Sequence, residues 1–246
     1  MDTSKRRLLG QIAAITAGAV FIPLAEADGD STPTKSKRYG MLIDLRRCVG
    51  CQACTVACTI ENQPPLGQFR TTVNQYEVTE GDNSAFMMLP RLCNHCENPP
   101  CIPVCPTGAT FQRQDGIVVV NNDWCVGCGY CVQACPYDAR FLNHETNTAD
   151  KCTFCAHRLD AGLLPACVET CVGEARIIGD LNDPDSRISQ LLTQHRDDIK
   201  VLRPSMGTQP RVFYLGMNQA FAERIRGEAP VRTLMTASGK ELHHGH

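Results

Sequence analysis

The sequence predicts an α+β fold in which short strands and short helices wind around groups of cysteine thiols. Three observations predict it. All sixteen cysteines lie between Cys48 and Cys171, they divide into four regularly spaced quartets, and the residues behind the quartets repeat. Aromatic residues make up only 6% of the 246, so an ordinary hydrocarbon core is under-supplied and a thiolate-bound group must replace part of it. The formal charge of −2 gives a nucleic-acid surface no support. No apolar run reaches the roughly 18–20 residues that cross a bilayer as a helix.

The N-terminus reads as a targeting segment. Lys5, Arg6 and Arg7 precede an apolar stretch from Leu8 to Leu24, and Ala25-Glu26-Ala27 has the small-x-small form of a cleavage site. Arg6-Arg7 after Ser4 resembles a twin-arginine signal, with Leu9 at the usual Phe position. Such a signal carries folded proteins, which suits a chain whose metal is inserted before export. Residues 1–27 are therefore expected to be the signal and 28–38 a flexible polar leader.

The quartets follow. Cys48, Cys51, Cys54 and Cys58 have the spacing C-x2-C-x2-C-x3-C, and Cys125, Cys128, Cys131 and Cys135 repeat it. Cys93, Cys96, Cys101 and Cys105 have four residues in the middle gap; Cys152, Cys155, Cys167 and Cys171 have eleven. The third quartet, followed by Pro136, is a complete bacterial ferredoxin run, and Pro106 follows the second. Three cysteines at two-residue spacing let a loop wrap one iron–sulfur cubane and aim its amides at the sulfides. Gly50 and Gly127 sit in those loops, where backbone comes close. The fourth cysteine opens a helical turn and ligates a different cluster.

Two rival frameworks fit less well. A disulfide scaffold belongs mostly to small chains with irregular spacing, and cysteines two residues apart are poorly placed for bridging. Structural zinc uses pairs of C-x2-C knuckles, which the fourth quartet alone could supply, but it leaves the triple runs unexplained.

Sixteen ligands make four [4Fe–4S] clusters with none spare. The natural pairing joins the second quartet with the third and the first with the fourth. Cluster 1 then takes Cys48, Cys51, Cys54 and Cys171; cluster 2 takes Cys58, Cys152, Cys155 and Cys167. Cluster 3 takes Cys93, Cys96, Cys101 and Cys135; cluster 4 takes Cys105, Cys125, Cys128 and Cys131. This gives two nested bacterial-type two-cluster ferredoxin-like units related by a pseudo-twofold axis. The outer unit is 39–62 with 150–180, the inner unit 93–149. Such a row is a wire for single electrons and does no bond chemistry itself.

Alanine stands four residues after the last cysteine in Cys105…Ala109, Cys135…Ala139 and Cys171…Ala175. Thr110-Phe111, Arg140-Phe141 and Arg176-Ile177 follow. These read as short strands leaving a cluster, and Gly116 to Val120 as one entering the next. The first quartet breaks the pattern, because Ile60 to Pro65 is expected to turn away into an insertion, 63–92. Within it Arg70 to Val78 reads as a strand and Glu80-Gly81-Asp82-Asn83 as a hairpin turn. The extension 181–246 is expected to hold a helix from Asp183-Pro184, with Ile188, Leu191, Leu192, His195 and Ile199 on the face that closes the core. Arg211 to Leu215 reads as a final strand. His95, His157, Lys151, Arg46 and Arg47 lie near cysteines and could tune a potential, although ordinary satisfied or solvated side chains are the default reading. His243, His244 and His246 read as a loose tail. No phosphate loop, serine elbow or paired carboxylates point to catalysis by this chain.

From about Tyr39 to Asp180 the four-quartet order resembles the iron–sulfur subunits of the dimethyl sulfoxide reductase family of molybdenum enzymes. Met41 to Arg47, Thr71 to Tyr76, Thr148 to Cys155, Ala161 to Ala166 and Val212 to Gly216 are similar, more narrowly, to the beta subunits of tetrathionate reductases. The resemblance implies four [4Fe–4S] clusters, a molybdopterin catalytic subunit and a membrane-anchoring quinol-oxidising subunit as partners. It also implies reduction of tetrathionate in anaerobic respiration, on the periplasmic side of the cytoplasmic membrane. Alternatives are the same role in a thiosulfate, polysulfide or arsenate reductase, or a free soluble polyferredoxin.

Overall fold

The structure, a computed structural model, describes residues 36–80 and 83–217. The expected signal, the leader up to residue 35 and the histidine tail lie outside the described residues. In chain order the strands are β1 (Tyr39–Asp44), β2 (Thr71–Glu80), β3 (Asn83–Leu92), β4 (Thr110–Gln112) and β5 (Val118–Val120). They continue as β6 (Phe141–Asn143), β7 (Thr148–Asp150), β8 (Arg176–Asp180), β9 (Ile199–Lys200) and β10 (Val212–Leu215). The helices are α1 (Ala53–Asn62), α2 (Tyr130–Gln133), α3 (Ala156–Asp160), α4 (Ala166–Glu169) and α5 (Arg187–Gln194). The architecture is mixed α and β.

β1 lies inside a four-stranded sheet of order β8-β1-β10-β9. It pairs antiparallel with β8, Met41 opposite Ile178, and parallel with β10, Met41 opposite Val212. Its Met41-Leu42-Ile43 run is continuously apolar because both faces are covered. Met41 and Ile43 enter the large core that also holds Cys54, Cys93, Cys96, Cys152 and Cys167. Leu42, on the opposite face, packs with Ile177, Leu215 and Ile188 of α5.

The expected helix begins at Arg187, with Ser186 as N-cap accepting from the Ser189 amide at 3.3 Å. Ile188, Leu191 and Leu192 cover the sheet, but His195 is the C-cap and Ile199 belongs to β9. Asp198 and Ile199 amides turn back onto the His195 carbonyl, so the helical stripe stops a turn earlier than its apolar spacing indicates. Residues 36–38 also differ from a free leader. The Arg38 amide donates to Asp180 Oδ1 and Asn182 Nδ2 to the Ser36 carbonyl, both at 2.7 Å.

β2 and β3 form a hairpin in unbroken register from Thr71–Leu92 to Glu80–Asn83. Val73, Leu89 and Leu92 are buried at its base, and Tyr214 Oη donates to the Pro90 carbonyl at 3.0 Å, tying it to the sheet. Behind the first quartet the chain does not turn at Ile60. α1 continues to Asn62 and stops ahead of Pro64, whose ring disfavours helix in the residue before it. Two small hairpins, β4–β5 and β6–β7, stand behind the second and third quartets. Behind Cys101 there are only turns, because Pro103 carries no N–H to continue a helix. Among the described residues no helix is long and apolar enough to cross a membrane.

Candidate metal centres

All sixteen cysteines are free thiols, so a disulfide framework is not formed. Cys48, Cys51, Cys54 and Cys171 line one cavity. Cys58, Cys152, Cys155 and Cys167 line a second, and Cys93, Cys96, Cys101 and Cys135 a third. Each combines segments far apart in sequence. Of the remaining four, Cys131 is buried and packs with Cys101, Val118 and Ala149, with Cys125 against it. Cys105 and Cys125 are half-buried and Cys128 is exposed. Among the described residues no three or more His, Cys, Asp or Glu side chains gather as a single metal ion requires.

α1 divides the first quartet. Cys54 and Cys58 are buried one turn apart on the same helix face, four residues being close to one turn. Cys54 opens into the first cavity and Cys58 into the second.

N–H groups are directed at the sulfurs. The amides of Ala175, Ala149 and Phe154 donate to Cys171, Cys125 and Cys152 at 3.2, 3.3 and 3.4 Å. The Ala139 amide bonds the Cys135 sulfur and the Ala109 amide that of Cys105. The repeated alanine is thus the residue whose backbone turns back onto the last thiol of a quartet. Asn62 Nδ2 adds bonds to Cys58 at 3.5 Å and Cys155 at 3.7 Å. Donors of this kind favour a thiolate and its metal-bound form.

Burial pushes the Cys58 and Cys96 thiols up to about 12, with neighbouring thiols adding to the rise. Cys101 is pushed up to about 11 by burial, against the pull of Arg140. Cys105 goes the other way. Desolvation opposes its ionisation, yet bonds from Thr110, Thr107 and Ala109 bring it down to about 7. Cys58, Cys96 and Cys101 therefore favour the protonated thiol until a cation binds, and metal binding would release their protons.

The flanking side chains divide. Arg46 is bidentate to Asp44, its Nε and Nη2 each 2.8 Å from a carboxylate oxygen, and Arg47 pairs with Glu174 at 2.9 Å. His157 Nε2 meets Glu61 at 2.7 Å. His95 is fully buried, accepts the Val118 amide on Nδ1 at 3.1 Å and stacks 3.8 Å from Phe154. Lys151 is not solvated. It is buried, and Nζ donates to the carbonyls of Val118 and Cys152. Arg140 and Arg176 read from the sequence as ordinary strand residues, yet both are buried beside thiols, Arg140 Nη2 lying 3.0 Å from Cys101 Sγ. Their signal was available, since each directly follows the repeated alanine.

Sulfur-only sets of four, free thiols and converging N–H donors fit iron–sulfur clusters and define an iron–sulfur protein. Residues 84–181 match the family described as a 4Fe-4S dicluster domain, a span that includes the second, third and fourth quartets. The chain is 66% identical to the tetrathionate reductase beta subunit of Salmonella typhimurium, across 93% of this chain and 94% of that one. It is 40% identical to the selenate reductase beta subunit of Mesobacillus selenatarsenatis, across 74% and 73% of the two chains. It is 38% identical to the arsenate respiratory reductase iron–sulfur subunit of a Shewanella species, across 72% and 96%. The chain belongs to the family of iron–sulfur subunits of dimethyl sulfoxide reductase-type complexes, which includes the tetrathionate reductase beta subunits.

Proposed function

We propose that this chain is the non-catalytic electron-transfer subunit of a tetrathionate reductase, holding four [4Fe–4S] clusters in two nested two-cluster units. The ligand sets are the three thiol groups that line cavities, together with Cys105, Cys125, Cys128 and Cys131. The outer unit is 39–62 with 150–180 and the inner unit 93–149, with 63–92 inserted and 181–246 appended. The observation that carries the reading is that the last cysteine of one quartet joins the first three of a distant one, as Cys171 does with Cys48, Cys51 and Cys54. Each cluster, when bound, accepts and passes on one electron.

The residues around the thiols supply N–H donors, and substrate chemistry falls to the catalytic partner. The partners follow from the relatives, which are named as subunits of reductases. We assign a molybdopterin catalytic subunit that reduces tetrathionate and a membrane-anchoring quinol-oxidising subunit. The Arg6-Arg7 segment supports export and a location on the periplasmic face of the cytoplasmic membrane. Selenate and arsenate reductases use relatives of this chain, but the 66% identity favours tetrathionate.

Anaerobic purification from membranes tests the assignment. The chain should migrate with a larger molybdenum-containing species, carry iron and sulfide for four cubes, and be reoxidised by tetrathionate in that complex. Colourless protein, or a free species that tetrathionate does not reoxidise, sinks it.

A further inference from the structure

Arg176, Lys151 and Arg140 are only 3%, 1% and 3% exposed. Among the described residues none of them forms an ion pair with a carboxylate. The ion-paired arginines differ, as Arg211 does by meeting Glu97 at 2.6 Å. A buried cation without a counter-charge costs several kcal/mol. All three stand beside thiols.

Their positions follow a rule. Arg176 lines the first cavity and bonds Cys167 of the second. Its Nη2 is held by Thr71 Oγ1 at 2.9 Å, while Nε and Nη1 have no partner. Lys151 Nζ donates to the carbonyl of Cys152, a residue of the second cavity, at 2.8 Å, and to that of Val118, which lines the third. Arg140 lines the third cavity, donates to Cys101 and bonds Cys131 of the fourth set. Thr110 Oγ1 accepts from it at 3.3 Å. One cation thus stands at each of the three junctions between successive thiol sets.

We propose that Arg176, Lys151 and Arg140 are positioning residues for electron transfer, each raising the reduction potentials of the two sites that flank it. The proposal rests on the four-cluster reading above. Reduction adds one negative charge to a site already made anionic by four thiolates. A fixed cation at the junction favours the reduced state on both sides. In each transfer one electron leaves one site and enters the next, supplied by the quinol-type donor of that reading. No bond forms or breaks in the transfer. Because one charge serves two neighbours, the effect is paired along the row.

EPR-monitored redox titration of the iron-loaded, full-length protein tests this, using Arg176→Gln, Lys151→Gln and Arg140→Gln. Each should lower two potentials together: clusters 1 and 2, 2 and 3, and 3 and 4 respectively. The expected change is at least tenfold in each reduction equilibrium, about 59 mV for a one-electron couple. Arg176→Lys, Lys151→Arg and Arg140→Lys should restore the potentials. Full iron loading with unmoved potentials overturns the proposal, as does a shift that the charge-keeping variants reproduce. Where a Gln variant loses iron, the charge-keeping variant decides. Loading with native potentials supports the proposal, and loss of iron there overturns it by making the residue a packing element. Wild-type protein with too little iron for four cubes instead defeats the four-cluster reading itself.

Discussion

The backbone N–H of Ala175 donates to the sulfur of Cys171 at 3.2 Å. The two residues are four apart, and the bond folds the chain back over its last thiol as it leaves for β8. Ala109 and Ala139 do the same for Cys105 and Cys135. A small side chain is needed there because Ala175 is 1% exposed.

Ala175→Leu therefore overpacks the site. It should cost about 1–3 kcal/mol and lower the iron retained per chain. Thermal unfolding and iron assay check it, and native values for both would refute the packing argument.

Gly127 has φ +66°, and an added Cβ would lie 2.3 Å from the Asn147 carbonyl oxygen. Gly108 has a similar φ of +69° with nothing within 4 Å. Gly108→Ala should cost only the left-handed penalty of about 1–2 kcal/mol. Gly127→Ala should cost more, since backbone must move and the third-quartet loop with it. Equal losses in the two melting curves would count against this difference.

His95 stays neutral because burial, then Lys151, Arg211 and Arg140, hold its pKa well below the usual 6.5. The unfolded chain binds a proton near 6.5 that the folded one refuses. This stabilisation is complete above 6.5 and is lost as pH falls. As the pH falls from roughly 7.5 to 5.5 the loss should be on the order of 1 kcal/mol. His95→Asn, which tolerates the residue's positive φ, should flatten that slope in urea titrations.

Ile188 is fully buried between α5 and the face of β1 that carries Leu42. Ile188→Ala should cost about 2–5 kcal/mol while iron content stays native, because no cysteine belongs to that cluster of side chains. A fall in iron matching the fall in stability would show that the two faces of the sheet are not separable.

Much of the site is legible in the sequence because ligand spacing is local chemistry. The triple C-x2-C runs, the free thiols and the short strands behind each alanine all follow from contacts within a few residues. The end of α5 is not legible, because His195 and Ile199 keep the apolar spacing while the backbone turns. Lys151 reads as solvated because its burial depends on Val118, 33 positions away. Ser36 to Arg38 look free because their partners, Asp180 and Asn182, lie more than 140 positions further on.

By itself the sequence determined that the thiols stand in four regularly spaced quartets, two of them with the ferredoxin spacing. Only the tertiary structure decided that β10 docks in parallel on β1, and where Arg140, Lys151 and Arg176 stand. The reason is that cysteine spacing is written along the backbone. The field at a buried thiol is set instead by side chains that arrive through space, from strands whose order in the sheet no local pattern encodes.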